Sequence, residues 1–360
     1  MSIPPLPPDY RPDFERVRTA VLRLGEPDWV PWHDGVSEVH KRRVLGHPVR
    51  SIADEIEFAR IIGFDFISIT SGLTTSEEMT GAMTIKGVEG EDDGATYSVE
   101  RRWANEGEGA IRSHADFEAF PWPDPDKMDF SAYDEADRLL PPSMRVFPHV
   151  GKVFNAAWWL MGLETFSIAL ADDPDLVERV FVKVCAIQER VIERILEHKS
   201  VGMIWHSDDL AYKSGLMVSP AIFRRYVFPF YARMNRECHA RGVLCAFHSD
   251  GDINAVVEDI IAAGFDALNP LEPPAMDIVA LKKQVQGRIT LIGNIDLAYT
   301  LTLGTPAEVD AEVKERIRVL APGGGYCLSW PNSIPDYVPF DNFIAMRTAW
   351  LRYGRYPIRL

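Results

Sequence analysis

Residues 202–252 read GMIWHSDDLAYKSGLMVSPAIFRRYVFPFYARMNRECHARGVLCAFHSDGD, and this stretch decides the fold. It contains two short apolar runs, residues 202–206 and 244–248, separated by a long segment that opens with Ser219-Pro220. A serine followed by proline is typical of the start of a helix. Short unbroken apolar runs are typical of strands in a parallel sheet that is covered on both faces. The stretch therefore predicts a strand–helix–strand unit.

The same alternation continues in both directions along the chain. Eight apolar runs are candidate strands, at residues 29–32, 65–69, 146–149, 202–206, 244–248, 267–269, 289–293 and 326–329. Amphipathic segments between them predict helices, at residues 51–62, 173–199, 219–241, 253–263 and 306–320. Eight repeats of strand and helix indicate an α/β fold closed as a (β/α)8 TIM barrel, with a doubly wound open sheet as the alternative.

Two regions stand outside this repeat. Residues 1–25 predict an N-terminal arm and then a helix from residue 13, with Gly25 as its C-cap. Residues 70–145 predict an insertion that contains a β-hairpin turning near Asp92-Asp93-Gly94. We expect residues 1–360 to form one barrel domain, with the insertion lying over the barrel mouth.

Composition and charge limit the classes of function. The 360 residues carry 38 Lys and Arg against 53 Asp and Glu, a formal net charge of −15, which argues against nucleic acid or an anionic membrane as partner. We find no apolar run of the roughly 20 residues that span a bilayer. The four cysteines, at positions 185, 238, 245 and 327, contain no CxxC pair and are expected to be reduced thiols. These features predict a cytoplasmic enzyme that acts on a small molecule, with a homodimer as one outcome.

The most informative polar pattern is a repeated tripeptide. His206-Ser207-Asp208, followed by Asp209, ends one candidate strand, and His248-Ser249-Asp250 ends the next. Because reactive groups of barrel enzymes lie at the carboxyl ends of strands, we expect these two edges to lie side by side at the barrel mouth. Such a site could bind a metal or divide acid and base roles. The alternative for the serines and aspartates is helix capping.

Other polar residues follow the later strands. Glu272 lies on a proline-rich loop, and Asn294 and Asp296 follow the next strand. Asn332 follows the last strand. We predict catalytic roles for His206, Asp208, Asp209, Asp250 and Asn294, and substrate contacts for His33, Asp252, Asp296 and Asn332.

Four segments resemble the uroporphyrinogen decarboxylase-like superfamily. They are GLMVSPAIFRRYVFPFYARM (215–234), FHSDGDI (247–253), GNIDLAYTLTLGTPAEV (293–309) and LAPGGGYCLSWPNSIP (320–335). The resemblance implies a (β/α)8 barrel and one of two activities, decarboxylation in the heme pathway or methyl transfer linked to a corrinoid or a thiol. The decarboxylases carry an arginine-rich segment near the first strand and a histidine that aligns with Asn332. The chain has neither, which argues against porphyrinogen decarboxylation.

The same resemblance implies a set of metal ligands. Zinc methyltransferases of this superfamily use a His-x-Cys pair, which here reads His248-x-Asp250, and wider relatives use a glutamate one strand later, where Glu272 stands. We therefore predict that His248, Asp250 and Glu272 bind a divalent metal, with Zn2+ favoured.

Three functions remain open from the sequence. The first is a metal-dependent methyltransferase for a small O- or N-methyl substrate. Because the chain lacks a D-x-H-x-x-G segment, any corrinoid would be carried by a partner protein. The second is a metal-free decarboxylase or lyase for a small acid, with proton transfer by Asp208, Asp250 and His248. The third is a barrel that binds without catalysis.

Overall fold

A curled parallel sheet of seven strands forms the centre of the computed structural model. The structure describes residues 3–71, 107, 109–285 and 287–360, and also the backbone of residues 83–92 and 95–104. Each strand of the sheet pairs with the next one in chain order. The strands are β1 (Phe66–Thr70), β2 (Arg145–Val150), β3 (Met203–Ser207), β4 (Leu244–Ser249), β5 (Ala267–Pro270), β6 (Thr290–Asn294) and β7 (Tyr326–Ser329). Seven of the eight predicted strands are thereby confirmed.

The eighth predicted strand, residues 29–32, is not a regular strand. Its contact with β7 is a single parallel bridge between Trp32 and Leu328. The backbone N–H of Leu328 donates to the carbonyl of Pro31 at 2.8 Å. Pro31 has no N–H of its own, so a continuous ladder cannot form there. On the other side, the ring of His33 packs on Phe66 of β1 at 3.7 Å between centroids, so side chains make this contact.

Helices precede the first strand of the sheet, lie between successive strands and follow the last one. Their bounds are Phe14–Val21, Glu38–Leu45, Ile52–Ile62, His114–Ala119, Ser131–Leu139, Phe154–Met161, Leu163–Asp172, Pro174–Ile195, Pro220–Ile222, Phe228–Ala240, Val257–Ala262, Ile278–Val285, Pro306–Leu320 and Phe340–Tyr353. The helix predicted at 306–320 has those bounds, and the capping box of Thr305 and Glu308 fixes its start. The first helix ends at Val21, before the predicted cap at Gly25, because Arg23 already has φ of 56°.

The helix predicted at 219–241 is interrupted. A π-helical turn, Phe223–Val227, separates Pro220–Ile222 from Phe228–Ala240. Pro229 explains the interruption, since proline has no N–H to donate and its ring clashes with the carbonyl four residues earlier. The chain therefore closes a wider turn before the proline, in which the N–H of Phe228 donates to the carbonyl of Phe223.

Apolar side chains fill the amino-terminal end of the barrel. The helix Phe14–Val21 packs against this end, and Phe14 contacts Phe147 edge to face at 5.7 Å between centroids. Met203 and Trp205 of β3 and Ile292 of β6 belong to the same buried cluster. Because strand residues alternate between faces, this cluster identifies which residues of each strand point into the barrel. Polar groups on that face lie toward the carboxyl ends of the strands.

The insertion contains the predicted hairpin. Strands Met83–Asp92 and Ala95–Ala104 pair antiparallel, with Asp92 opposite Ala95. The turn at residues 93–94 lies outside the described residues, as do residues 72–82, so the position of the insertion over the barrel mouth stays a prediction. Within the described part of the chain, no helix has the length and apolar character that crossing a membrane requires.

Candidate metal centre

The two His-Ser-Asp tripeptides are offset by one residue in the sheet. Ser207 of β3 pairs with His248 of β4, whereas His206 pairs with Phe247. Since paired residues of neighbouring strands share a face, His206 and His248 point to opposite faces. The two strand ends lie side by side, as expected, but the expectation that the two tripeptides occupy equivalent positions is wrong, because the shift of one residue turns His206 to the other face.

His206 lies on the outer face of the sheet, beneath the helices. Its ring is fully buried and contacts Tyr231 and Phe265 at 5.0 and 5.5 Å between centroids. Neither ring nitrogen has a hydrogen-bond partner among the described residues. Burial lowers the pKa of His206 to about 3, so the imidazole is neutral. The structure thus separates His206 from the barrel mouth.

Asp208 fixes the start of a helix. Its buried carboxylate accepts hydrogen bonds from the backbone N–H groups of Val153, Phe154 and Asn155 at 3.1, 2.8 and 2.8 Å. The hydroxyl of Tyr231 donates to the same carboxylate at 2.6 Å. Burial raises the pKa of Asp208 to about 6, although these hydrogen bonds oppose the shift. The predicted catalytic carboxylate is therefore occupied by four structural contacts.

His248 faces two carboxylates at the barrel mouth. Its Nε2 lies 3.8 Å from Oδ1 of Asp209 and 3.8 Å from Oδ1 of Asp250. One ligand atom from each of the three residues lies within 4.8 Å of the others. The two carboxylates are also linked, because the N–H of Asp250 donates to Oδ1 of Asp209 at 2.9 Å. This group brings together three of the predicted site residues.

The electrostatics of this group favour a bound cation. Oδ1 of Asp250 is buried and accepts no hydrogen bond from the described residues. Burial raises the pKa of Asp250, and the charge of Asp209 adds to the shift. For His248, burial lowers the pKa, but the carboxylates of Asp250, Asp209 and Asp34 outweigh it and the net shift is upward. Two carboxylates and an imidazole with one orphaned oxygen form a donor set that suits a divalent metal.

A buried amide orients the histidine. Oδ1 of Asn269 on β5 lies 2.5 Å from Nδ1 of His248. The amide nitrogen of Asn269 donates to Oδ2 of Asp34 at 3.4 Å and to the carbonyl of Ile292 at 3.3 Å. Asp34 also accepts from the hydroxyl of Ser329 at 2.8 Å. We did not predict roles for Asp34, Asn269 or Ser329, although a buried polar residue at a strand end was the available signal.

Glu272 is not part of the compact group. Glu272 lies on the loop that follows β5, and its carboxylate makes an ion pair with Nζ of Lys213 at 3.0 Å. Asp209 occupies the third place that we predicted for Glu272 beside His248 and Asp250. The cause is the one-residue offset between β3 and β4, which brings Asp209 next to Asp250.

Of two further predicted residues, one contacts the group and the other lies at the end of β6. The amide of Asn332 donates to Oδ2 of Asp250 at 3.2 Å. Asn294 at the end of β6 is buried, with its amide nitrogen 2.5 Å from the carbonyl of Leu271. Oδ1 of Asn294 has no partner among the described residues.

The other residues predicted as substrate contacts also have contacts within the fold. Asp252 accepts from the backbone N–H of Asn254 at 3.0 Å, which closes a turn. Asp296 caps the helical turn that begins at Leu297, through the N–H of Ala298 at 2.8 Å. The ring of His33 is buried against the barrel wall, and burial holds its pKa well below the usual range.

A cleft of about 850 Å³ adjoins Asp250 of the group formed by His248, Asp209 and Asp250. It carries apolar and acidic side chains, and none of its described lining residues is a lysine or an arginine. The predicted residues Asp250, Glu272, Asp296 and Asn332 line it. The remaining lining residues are Ser37, Glu38, Val39, Pro273, Leu297, Ala298, Thr302, Pro331, Ser333, Pro335, Asp336 and Tyr337.

His149 is a further histidine of the barrel wall. It pairs in register with Trp205, whose ring stacks on it at 5.5 Å between centroids. Burial, and then the nearby charges of His248 and Lys152, lower the pKa of His149 to about 3. It is therefore a neutral imidazole close to the charged group.

A second group of possible ligands lies at the amino-terminal ends of β4 and β5. Nε2 of His239 is 2.9 Å from Oδ2 of Asp266, which also accepts from the N–H of Cys245 at 2.9 Å. Their ligand atoms lie within 4.8 Å of one another. These hydrogen bonds tie the end of the helix Phe228–Ala240 to the sheet, and they engage the carboxylate without a metal.

Comparison with known proteins agrees with this architecture. The profile of the family described as uroporphyrinogen decarboxylase (URO-D) matches residues 55–353, and the chain therefore belongs to this family. Similar curated proteins are the methylcobamide:CoM methyltransferases MtaA of Methanosarcina barkeri and of its strain Fusaro (DSM 804). Each is 28% identical over 137 residues, which is 37% of this chain and 37% of the relative. The match thus spans little more than a third of the relatives' length.

A solved structure shares the fold over nearly the whole chain. The methyltransferase from Methanosarcina mazei superposes with a TM-score of 0.67 at 18% sequence identity, covering 95% of this chain and 99% of that one. The predicted TIM-barrel fold is confirmed.

Proposed function

We propose that the chain is a metal-dependent methyltransferase that moves a methyl group to or from a small O- or N-methyl substrate. One observation carries the proposal. Nε2 of His248 and an oxygen of Asp250 that accepts no hydrogen bond from the described residues converge with Asp209 at the barrel mouth. The similarity to proteins named methyltransferases supports the reaction class.

His248, Asp209 and Asp250 would hold the metal. Their mixture of one nitrogen and carboxylate oxygens suits Zn2+ and other divalent ions. When bound, such an ion would act as a Lewis acid on the atom that gives up or accepts the methyl group. Asn332 holds the outer oxygen of Asp250, and Asn155 holds the backbone of Asp209 through two hydrogen bonds at 2.8 and 3.0 Å. These contacts leave Oδ1 of Asp250 without a hydrogen bond from the described residues, whereas Oδ1 of Asp209 accepts one from the N–H of Asp250.

The cleft supports a neutral or cationic substrate. Five carboxylates line it, from Glu38, Asp250, Glu272, Asp296 and Asp336, and its described lining includes no basic side chain. A substrate with several carboxylates would meet repulsion from these side chains, and the described lining offers no guanidinium to bind it. The same reasoning disfavours the alternative of a decarboxylase for a small acid. That alternative also needs Asp208, whose oxygens already accept four hydrogen bonds.

We propose a corrinoid protein as the partner in the reaction. The curated relatives are named as methylcobamide methyltransferases, and the chain carries no cobalamin segment of its own. The cytoplasmic location and the homodimer stay predictions.

A methyl-transfer assay tests the proposed function. Purified protein is incubated with cob(I)alamin and a panel of methyl ethers and methylamines, and formation of methylcobalamin is followed by its absorbance. We expect turnover with at least one compound, its loss on treatment with a chelator, and its return with Zn2+. His248→Ala should be inactive, whereas the matched control His206→Leu should be active. Equal activity in the two variants would contradict the proposed site.

A further inference from the structure

We infer that Asp34 and Asn269 form a relay that positions His248, by fixing the tautomer in which Nδ1 carries the proton and Nε2 faces the two carboxylates. The relay would serve the metal site of the proposed function and rests on that function for its purpose. The tautomer itself belongs to the metal-free protein and can be measured there.

The orientation of the Asn269 amide carries the first step. Its nitrogen is placed toward two groups that can only accept, the carboxylate of Asp34 at 3.4 Å and the carbonyl of Ile292 at 3.3 Å. The amide oxygen must then be the atom at 2.5 Å from Nδ1 of His248. An amide oxygen accepts and does not donate, so Nδ1 must carry a proton. A neutral imidazole has one N–H, which leaves the lone pair on Nε2.

Asp34 carries the second step. Its Oδ1 accepts from the N–H of Gly35 at 2.7 Å, and its Oδ2 accepts from the hydroxyl of Ser329 at 2.8 Å as well as from Asn269. The side chain is buried, and the contacts with the N–H of Gly35 and the amide nitrogen of Asn269 need an acceptor, whereas the Ser329 hydroxyl can donate or accept. A carboxylate can accept from both groups. An amide at position 34 that accepts from Gly35 would place its own nitrogen, which is a donor, against the amide nitrogen of Asn269. Asp34 thus prevents the Asn269 amide from flipping.

The relay joins three parts of the fold. Asp34 follows the irregular segment at residues 29–33, Ser329 ends β7, and Asn269 lies on β5 opposite His248. The hydrogen bonds of Asp34 therefore both connect the segment before it to β7 and orient His248 through Asn269. Outer-shell partners of this kind, which orient a histidine ligand, typically change metal affinity about 10- to 100-fold when they are removed.

Nitrogen NMR of the histidines tests the relay directly. The metal-free protein is labelled with 15N-histidine and titrated upward in pH until the His248 signals show the neutral imidazole, because the neighbouring carboxylates raise the pKa of His248 above its ordinary value of about 6.5. The His248 signals are assigned by their loss in His248→Gln. We expect the wild type to show only the Nδ1–H tautomer. Asn269→Leu should show a mixture of tautomers, and its Kd for Zn2+ should rise about 10- to 100-fold.

Two further variants make the test specific. Asp34→Asn retains the size of the side chain and should show the same mixture with a smaller loss of Zn2+ affinity. Asn342→Leu is the matched control, because Asn342 is as buried as Asn269 and its amide donates to the carbonyls of Leu301 and Gly304 at 3.0 and 2.8 Å. It should lose stability without any change of the His248 tautomer.

The possible results separate the relay from the proposed function. A single Nδ1–H tautomer in both Asn269→Leu and Asp34→Asn, with Zn2+ affinity within about twofold of wild type, would overturn the relay. If Asn269→Leu does not fold, Asp34→Asn decides the question by the same two readouts. A wild type that binds no metal but shows the tautomer change in the variants would contradict the proposed function and leave the relay intact.

Discussion

Asp208 and Asp209 are neighbours with opposite expected roles. Asp208 is buried and accepts four hydrogen bonds, whereas the side chain of Asp209 is 40% exposed and faces His248. We predict that Asp208→Asn lowers the free energy of unfolding and leaves metal affinity per folded molecule unchanged. Asp209→Asn should weaken metal binding and leave the free energy of unfolding nearly unchanged.

The magnitudes follow from the contacts. An amide at position 208 can keep one oxygen, so at least one backbone N–H loses its acceptor and faces a donor. Hydrogen bonds to a charged acceptor contribute about 1.5–3 kcal/mol each, so we expect Asp208→Asn to lower the free energy of unfolding by about 2–4 kcal/mol. An exposed substitution such as Asp209→Asn usually changes stability by about 0.5 kcal/mol. The loss of its charge from the ligand set should weaken Zn2+ binding at least about tenfold.

Urea unfolding followed by circular dichroism gives the stability, and titration calorimetry with Zn2+ on folded protein gives the affinity. A stable Asp208→Asn with weakened Zn2+ binding would refute the assignment of Asp208 to structure. An Asp209→Asn protein that binds Zn2+ like the wild type would remove Asp209 from the ligand set.

Three more substitutions test other contacts. His206→Leu should retain activity and should keep or raise the urea midpoint, since two buried nitrogens without described partners cost stability. Lys213→Ala should tighten Zn2+ binding by about twofold or more in calorimetry, because it removes a cation and frees Glu272; weaker binding would contradict this. The hydrogen bond to Asp266 raises the pKa of His239, so its stabilisation should be full below about pH 6.5 and lost as pH rises through the raised value. His239→Gln should abolish that part of the pH dependence of urea unfolding, and an unchanged profile would contradict it.

The fold could be predicted because each strand and helix has a local signal. Short apolar runs and proline or serine at helix starts identified seven strands and the helix Pro306–Leu320. Local signals did not predict the structure at Pro31 or Pro229. Each proline removes a backbone donor, and the result depends on neighbouring segments: a single bridge in place of a strand at Pro31, and a π-turn before Pro229.

The site could be predicted only in part, because the register between two strands cannot be read from the sequence of either strand alone. His248 and Asp250 were predicted together, and the structure brings them together. The repeated tripeptide suggested an equal role for His206, but packing shifts β3 against β4 by one residue and turns His206 outward. Asp34 and Asn269 were missed because they are distant in sequence and meet only when the barrel closes.

Metal analysis of the purified protein tests the central claim most directly. Wild type and His248→Ala are dialysed against Zn2+, and bound metal is counted by elemental mass spectrometry, with His239→Ala as the control for the second group of possible ligands. We predict one equivalent of Zn2+ in the wild type and in His239→Ala, and none in His248→Ala. Equal metal content in the wild type and His248→Ala, or no metal in the wild type, would contradict a metal centre at His248.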